Sequence, residues 1–228
     1  MTFINTLCIS VGVLACKLNA QMYILNPDNG HYYTAVLSSG VSWTDASSQA
    51  NQMSYLGSTG YLATVTSENE NNFLVQNFFT TFETAKISFA AQALIGGIQN
   101  PIGELNPLNG WRWEHDGSTF PGVNGVTGLD NVYSNWAQAS DAVGDPYYST
   151  EYHGEPNDAG GGFGSEQFAA LFRFSNAPGR WNDSAGYTGD SSVAGYIVEI
   201  TPIPEPESYA AFAGLSLIAF AVYRRHRK

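Results

Sequence analysis

The stretch of sequence that decides the fold is YYTAVLSSGVSWTDASSQANQMSYLGSTGYLATVTSENENNFL, residues 32–74. Residues 31–37 alternate enough between apolar and polar side chains to predict a strand. Ser42 then predicts the N-cap of a helix, because its hydroxyl can satisfy a backbone N–H of the first turn. At helical spacing, one buried stripe follows the cap, formed by Trp43, Ala46, Ala50 and Met53.

The second half of this stretch predicts another strand and another helix. Residues 60–65 indicate a strand or extended segment, and Ser67 to Glu70 form a capping box that opens a helix. Its core-facing residues would be Phe73, Leu74 and Phe78. Further strand-like segments, separated by long Gly- and Asn-rich loops, are 93–98, 110–117, 166–172 and 195–200. Two early helices followed by short strands predict a single α+β domain.

The composition narrows the class of partner. The chain has 228 residues, of which 13% are charged, and its net charge is -11. Only four basic residues lie between positions 21 and 203, namely Lys86, Arg112, Arg173 and Arg180. A nucleic-acid partner is therefore excluded, because there is no basic stripe to release counterions. A cation-binding surface and a merely solvated acidic surface both fit this charge.

The N-terminal segment predicts export. Residues 1–20 are apolar and end in Leu18-Asn19-Ala20, which is typical of a cleaved signal peptide. A lipoprotein signal ending at Cys16 is the alternative interpretation. Both cysteines, Cys8 and Cys16, lie in this segment, so cleavage after Ala20 would leave a mature domain without thiols. Such a domain must be held by its core, its loop packing or a bound metal.

The C-terminal segment, 204–228, predicts sorting at a membrane. An uncharged run from Tyr209 to Tyr223 precedes a basic end, and it is shorter than the roughly 20 residues that a full span needs. A short permanent anchor is one interpretation. Pro204-Glu205-Pro206, the apolar run and the basic cluster together resemble a PEP-CTERM tail. That resemblance implies recognition by exosortase in the inner membrane of a Gram-negative bacterium, followed by transfer to the cell surface or a polysaccharide matrix.

The order of motifs between residues 31 and 201 resembles a C-type lectin-like domain. The opening stretch supplies the Trp, the Ala three residues later, the LAT segment and the helical EN..FL. Further matches follow in order: LIGGI at 94–98, WRWEHDGS at 111–118, YSNW at 133–136, EPN at 155–157, WND at 181–183 and YIVE at 196–199. The resemblance implies an α+β fold for residues 21–203, with a long calcium-binding loop region.

The same resemblance implies one Ca²⁺ site. Carried over residue by residue, its ligands are Glu155, Asn157, Glu166, Asn182 and Asp183. It also implies a cis peptide before Pro156. The chemistry agrees, since Ca²⁺ takes six to eight oxygen ligands. Two acid–amide pairs, Glu155 with Asn157 and Glu166 with Asn182, would also accept and donate hydrogen bonds to sugar hydroxyls. The Glu-Pro-Asn order implies mannose- or glucose-type glycans.

The chain departs from the family at several places. The usual disulfide positions carry Ala50 with Val198, and Phe168 with a residue near Gly186. Apolar packing is the expected replacement for the first pair, whereas the second has no obvious replacement. The segment 137–154 is longer than usual and would frame or cover the site. We do not predict a second calcium site, and we expect the four tryptophans after residue 100 to be core residues.

Two rival classes of function remain. Glu155, Asp158 and Glu166 are conceivable as glycosidase acids, but the resemblance gives them no such role, so we predict no catalytic residue and no enzyme. The stronger rival is a surface adhesin in which calcium orders the loops and the partner is a protein. The favoured interpretation is an exported protein that binds exopolysaccharide or cell-surface glycan through calcium.

Overall fold

A computed structural model of the chain describes residues 21–86, 91–122, 132–142, 154–159 and 164–203, together with Tyr223. The predicted signal peptide, 1–20, and the predicted sorting tail, 204–228, lie outside the described residues apart from Tyr223, so both stay predictions. Within the described ranges, no helix is long and apolar enough to cross a membrane.

The described elements are ten strands, two α-helices and one 3₁₀ helix. In chain order they are β1 Ile24–Leu25, β2 Tyr32–Leu37, α1 Trp43–Ala50, β3 Ser54–Tyr55, β4 Ser58–Thr59, β5 Tyr61–Leu62, α2 Glu68–Thr84, β6 Gln92–Gln99, β7 Trp111–Trp113, a 3₁₀ helix Ala139–Ala142, β8 Phe168–Leu171, β9 Asn182–Ser184 and β10 Val193–Ile200. This content confirms the predicted α+β class.

The main sheet has the strand order β1-β2-β10-β6-β8-β9, with β5 also paired to β10 and β7 to β6. Strands β10 and β6 are parallel, and the other pairs are antiparallel. Because β10 pairs with β2, the end of the domain lies beside its beginning. Strands β8 and β9 form the far edge of the sheet, and the loops that carry the predicted site lead into them.

Helix α1 follows the sequence prediction up to its last turn. The Ser42 hydroxyl accepts a hydrogen bond from the backbone N–H of Asp45 at 3.1 Å, and Trp43, Ala46 and Ala50 are buried. The helix ends at Ala50, so Met53 lies beyond its C-terminus. Met53 still packs against the same core cluster. Met53 is half-buried, so the apolar spacing predicted its contact with the core, but its place in the helix was wrong.

Helix α2 begins as predicted, with one change to its capping box. The Ser67 hydroxyl accepts from the backbone N–H of Glu70 at 3.2 Å. The Glu70 carboxylate reaches one residue further back and accepts from the Thr66 N–H at 2.7 Å and from the Tyr33 hydroxyl at 2.5 Å. Leu74 and Phe78 are buried, and Phe73 is half-buried. Glu70 therefore joins the start of α2 to β2 as well as capping the helix.

Apolar contacts occupy both positions where the family usually has disulfides. Ala50 and Val198 belong to one buried cluster, as expected for the first pair. At the second, the Phe168 ring stacks on Trp43, with centroids 4.8 Å apart, and it lies against Gly186. A Cβ at residue 186 would be 2.5 Å from the Phe168 ring. The expectation that the second disulfide has no replacement was therefore wrong, since an aromatic ring packed on a glycine takes its place.

The tryptophans form the interior, as predicted. Trp111, Trp113, Trp136 and Trp181 are each no more than 2% exposed. The rings of Trp136 and Trp181 lie 5.6 Å apart, edge to face, and residues 136 and 181 form an isolated bridge. This pairing holds the two segments that flank the predicted site, 133–137 and 181–183, side by side.

Candidate functional site

Hydrogen bonds to the carboxylate of Asp183 join strand β9 to the Glu-Pro-Asn segment. Asp183 is fully buried. Its two carboxylate oxygens accept from the backbone N–H of Asn157 at 3.1 and 3.0 Å, and one of them also accepts from the N–H of Asp158 at 2.8 Å. The structure therefore brings two predicted ligands, Asn157 and Asp183, into contact. The contact is formed by the backbone N–H of Asn157 and the side chain of Asp183.

Glu155 completes this contact. The peptide between Glu155 and Pro156 is cis, as the resemblance implies. The backbone N–H of Glu155 donates to the carbonyl of Ala137 at 2.8 Å, and Ala137 in turn donates to the carbonyl of Trp181 at 3.0 Å. The Glu155 carboxyl group, itself buried, is hydrogen-bonded to the Asp183 carboxyl group. Two acidic groups therefore meet where water is largely excluded.

Burial raises the pKa of Asp183, and the hydrogen bonds from Glu155 and from the loop N–H groups act against that rise. Desolvation disfavours the charged form of a carboxyl group, whereas donors aimed at it favour that form. Two buried carboxyl groups in contact need either a shared proton or a cation to offset their repulsion. Their oxygen donors match what a hard cation such as Ca²⁺ prefers.

Asn157 and Glu166 lie at the surface of the same loop region. Both are half-exposed. The Oδ1 atom of Asn157 accepts from the backbone N–H of Ala159 at 2.8 Å, an Asx turn that fixes the amide. The backbone N–H of Glu166 donates to Asp158 Oδ1 at 2.7 Å. Glu166 is thus tied to the predicted site by its backbone, with Asp158 as the connecting residue.

Asp158 organises the loop, although it was not among the predicted ligands. The residue is 6% exposed. It accepts from the backbone N–H groups of Gly164, of Ser165 at 2.7 Å and of Glu166 at 2.7 Å, and from the Ser165 hydroxyl at 3.1 Å. It has φ +54°, a conformation that aspartate tolerates better than most residues. The Asn-Asp-Ala-Gly turn composition of 157–160 was the available signal.

Asn182 is held by the core of the sheet. It is 6% exposed, and its side-chain amide donates to Gln92 Oε1 at 3.1 Å and contacts the carbonyl oxygen of Asp183. Gln92 in turn donates to the Ser192 hydroxyl at 2.7 Å. Asn182 therefore lies beside Asp183, and its amide is oriented by strand β6.

The predicted ligands thus come together to different degrees. Glu155, Asn157 and Asp183 are in direct contact through side chain or backbone, Asn182 is adjacent, and Glu166 is connected through Asp158. Among the residues that the structure describes, no group of three or more acidic, His or Cys side chains is close enough to hold a metal. The complete ligand set stays a prediction.

A loop with exposed apolar side chains borders this region. Gln99 donates from one amide nitrogen to the carbonyls of Asn106, Pro107 and Asn109, which holds the loop 100–110 against β6. Gly103 donates to Gln167 Oε1 at 2.6 Å, and its carbonyl lies next to Gly164. The side chains that this loop presents to solvent are Ile102, Leu105 and Leu108.

One ion pair fixes the start of the long 137–154 segment. The Arg180 guanidinium lies 3.0 Å from Asp141 and donates to Asn135 Oδ1 at 2.5 Å. The start of the segment therefore lies directly beside the Trp-Asn-Asp strand. Residues 143–153, which include His153, lie outside the described residues, so whether the segment frames or covers the site stays a prediction.

Comparisons with solved structures agree with this architecture. CEL-IV superposes with a TM-score of 0.50 and 19% identity, over 80% of this chain and 94% of that one. The C-type lectin CEL-I from Cucumaria echinata gives 0.47 and 17%, over 78% and 94%. Human lithostathine gives 0.41 and 16%, over 74% and 82%. The chain has a C-type lectin-like α+β fold, and at these identities the likeness concerns the fold alone.

Sequence comparisons add less. No family model matches the chain. Halomucin from Haloquadratum walsbyi is 32% identical over 114 residues, which is 50% of this chain and 1% of halomucin. The chain therefore spans about one hundredth of the length of that protein.

Proposed function

We propose that the domain binds carbohydrate through one calcium ion held between the Glu-Pro-Asn segment and strand β9. The observation that carries the proposal is the fully buried Asp183 carboxylate, which accepts from the backbone N–H groups of Asn157 and Asp158 next to the cis peptide and the buried side chain of Glu155. Two acids in this position stabilise the folded chain best when a cation lies between or beside them. A C-type lectin-like fold supports the same conclusion.

The ligand set would be Glu155, Asn157, Glu166, Asn182 and Asp183. Calcium would supply coordination sites for two neighbouring sugar hydroxyls. The side chains would then orient the sugar, since a carboxylate can only accept a hydrogen bond from a hydroxyl, whereas an amide nitrogen can donate one. In Asn157, Oδ1 is turned toward Ala159, so its amide nitrogen is the group proposed to donate. Glu166 is the second acid that would accept from the sugar, whereas the Asn182 amide nitrogen is already bonded to Gln92, so Asn182 would contribute its amide oxygen to the calcium ion.

A glycan array probed with the protein tests this proposal. We expect binding to mannose-, glucose- or N-acetylglucosamine-terminated glycans in calcium, and loss of binding in excess EDTA. Asn182→Ala should abolish binding in calcium. Gln52→Ala, which replaces an exposed side chain on the turn after α1, is the control and should bind like the wild type. Binding that persists in EDTA to the same glycans with Asn182→Ala would contradict a calcium site.

A protein partner is the second candidate function, and the loop 100–110 favours it. Ile102 and Leu105 are 60% and 65% exposed beside the proposed site, and exposed apolar groups are typical of protein-binding surfaces. In this case calcium would order the loops without contacting a ligand. An excess of methyl mannoside separates the two functions, because it should inhibit binding of a glycan but not of a protein.

For the ends of the chain we propose export and sorting. Residues 1–20 would direct export, and residues 204–228 would hold the protein transiently in the inner membrane until exosortase cuts near Pro204-Glu205-Pro206. Release or transfer to the cell surface or the biofilm matrix would place the acidic domain among exopolysaccharides. We propose no enzymatic activity for the domain.

A further inference from the structure

Apolar and aromatic side chains lie together at the end of the sheet where strand β10 ends. Leu25 and Tyr32 are paired residues on neighbouring strands, so their side chains share one face of the sheet. Tyr32 also pairs with Ile200, the last residue of β10. The Tyr55 ring lies edge-on to Tyr32, with centroids 4.9 Å apart, and stacks on Tyr23 at 4.4 Å. Three half-buried tyrosines thus form one continuous surface with Leu25.

The β3–β4 hairpin and the end of the domain extend this surface. Leu56 follows Tyr55 at the tip of the hairpin, where Tyr55 pairs with Ser58. The Ser58 hydroxyl accepts from the backbone N–H of Ile203 at 2.9 Å. Leu25, Leu56 and Ile203 are 46%, 51% and 64% exposed. The name exit patch is used below for six residues, none of them charged: Tyr23, Leu25, Tyr32, Tyr55, Leu56 and Ile203.

Leu56 occupies a position that leucine disfavours. The hairpin loop has two residues, Leu56 and Gly57, with φ of +49° and +77°. Such loops favour Asn-Gly or Asp-Gly, because both positions need a left-handed conformation. A leucine in that conformation costs free energy, and here it also leaves half of its surface in water. A partner that covers Leu56 would offset these costs.

The chain beyond Ile203 indicates that this partner is a lipid bilayer. Residues 204–228 lie outside the described residues, and their uncharged run begins at Tyr209. Six residue steps separate Ile203 from Tyr209, and an extended chain of that length spans at most about 22 Å. Because the run is proposed above to enter a membrane, the exit patch would be held within this distance of the membrane surface.

The chemistry of the exit patch suits the boundary between lipid headgroups and acyl chains. Tyrosine is enriched at that boundary, because its ring is apolar and its hydroxyl stays hydrated. The leucine and isoleucine side chains supply apolar area, with which the strength of interfacial binding increases. The patch contains no Lys or Arg, and the net charge of the chain is -11. Attraction to anionic headgroups therefore plays no part, and a zwitterionic lipid is the appropriate probe.

We propose that the exit patch lies against the bilayer that holds residues 204–228. This inference goes beyond carbohydrate binding and depends on the proposed sorting of the chain at a membrane. The tail keeps the patch at a high local concentration relative to the bilayer, so a small apolar surface is sufficient although it would bind free vesicles weakly. The contact orients the domain on the membrane until the tail is cut.

Photo-crosslinking in vesicles tests this proposal. The full chain is reconstituted in phosphatidylcholine vesicles that contain a phospholipid with a diazirine on its acyl chain, and mass spectrometry maps the lipid adducts after illumination. Adducts at 209–223 report entry of the tail. Adducts at 54–59 report the exit patch, because this hairpin is distant in sequence from both apolar ends of the chain. We expect adducts in both segments.

Leu56→Asn is the decisive variant. It should reduce the adducts at 54–59 by about threefold to tenfold relative to those at 209–223, the effect expected for burying the exposed half of one leucine. It should also raise the Tm of the domain by about 2–4 °C, because asparagine tolerates a positive φ. Leu37→Asn is the matched control, since Leu37 is also 51% exposed but lies at the other end of β2. This control should leave the adducts at 54–59 unchanged.

Two results would overturn the inference alone. One is the formation of adducts at 209–223 without adducts at 54–59. The other is an equal change of the adducts at 54–59 in Leu56→Asn and Leu37→Asn. The absence of adducts from both segments would overturn the proposed entry of the tail into the membrane together with this inference.

Discussion

Replacing Asp158 by alanine should destabilise the loop that carries the proposed site. The Asp158 carboxylate accepts from the backbone N–H groups of Gly164, Ser165 and Glu166 while 6% exposed. A hydrogen bond to a charged group contributes about 1.5–3 kcal/mol. The bonds are not additive and the freed N–H groups regain water, so we expect a net loss of about 3 kcal/mol in the free energy of unfolding.

That loss corresponds to a fall of about 6–12 °C in Tm for a domain of this size. Asp158→Asn is the matched control, because asparagine tolerates the positive φ of residue 158 and keeps one side-chain oxygen for Ser165 and Glu166. It should lose about 2 kcal/mol, because the bonds from Ser165 and Glu166 lose the charge and the Gly164 N–H faces an amide N–H in place of an acceptor.

Hydrogen exchange combined with thermal unfolding measures both effects. In Asp158→Ala, amide protection should fall at residues 164–166 and, through the neighbouring turn, at 157–158. In Asp158→Asn it should fall less. If Asp158→Ala unfolds within about 0.5 kcal/mol of the wild type, with unchanged exchange at 164–166, then Asp158 does not organise the loop.

Three further predictions concern metal, pH and processing. Saturating calcium should raise Tm, with a stabilisation of about 2.7 kcal/mol at a concentration 100 times the dissociation constant, and Asn182→Ala with Asp183→Asn should remove this effect; equal melting curves in calcium and EDTA would rule the site out. The hydrogen bond of 2.5 Å between His31 and buried Glu199 raises the pKa of His31. The stabilisation that this bond gives the folded state, about 1–2 kcal/mol, is therefore present below the usual pKa of 6.5 and is lost as pH rises through the raised value. A plot of Tm against pH should be flatter in this range for His31→Ala, and an unchanged profile would refute the coupling. Mass spectrometry of the protein from its native host should find chains that end near Pro204-Glu205-Pro206, and recovery of Lys228 from the surface fraction would contradict processing.

The sequence predicted the helices and the long central strands well, because their signals are local. The Ser42 and Ser67 caps and the apolar spacing that follows each cap are contained in a few consecutive residues. Strands β1, β3 and β4 have two residues each, which is too short for a period of two to be detected. Each of them pairs with a nearby segment, β1 with β2 and β3 with β4, but two residues give no alternation from which a strand could be predicted.

Family motifs predicted the residues of the candidate site, whereas the hydrogen bonds that connect them could not be predicted. Glu155, Asn157 and Asp183 matched family motifs, and the structure brings them together. Asp158 was missed because its role depends on the backbone N–H groups of residues six to eight positions later, after a turn that sequence spacing does not define. Likewise, the replacement of a disulfide by the Phe168 ring required knowing that Gly186 leaves room for it.

The most direct test of the central claim is the ratio of mannose to galactose affinity in calcium, measured by isothermal titration on the wild type and on Glu155→Gln with Asn157→Asp. The exchange swaps the acid and the amide while keeping their size, so it reverses which side accepts and which donates. We predict that the wild type prefers mannose, with a dissociation constant on the order of millimolar, and that the double variant shifts toward galactose. A wild type that binds galactose better, or a double variant whose preference does not move, would contradict a sugar site built from these residues.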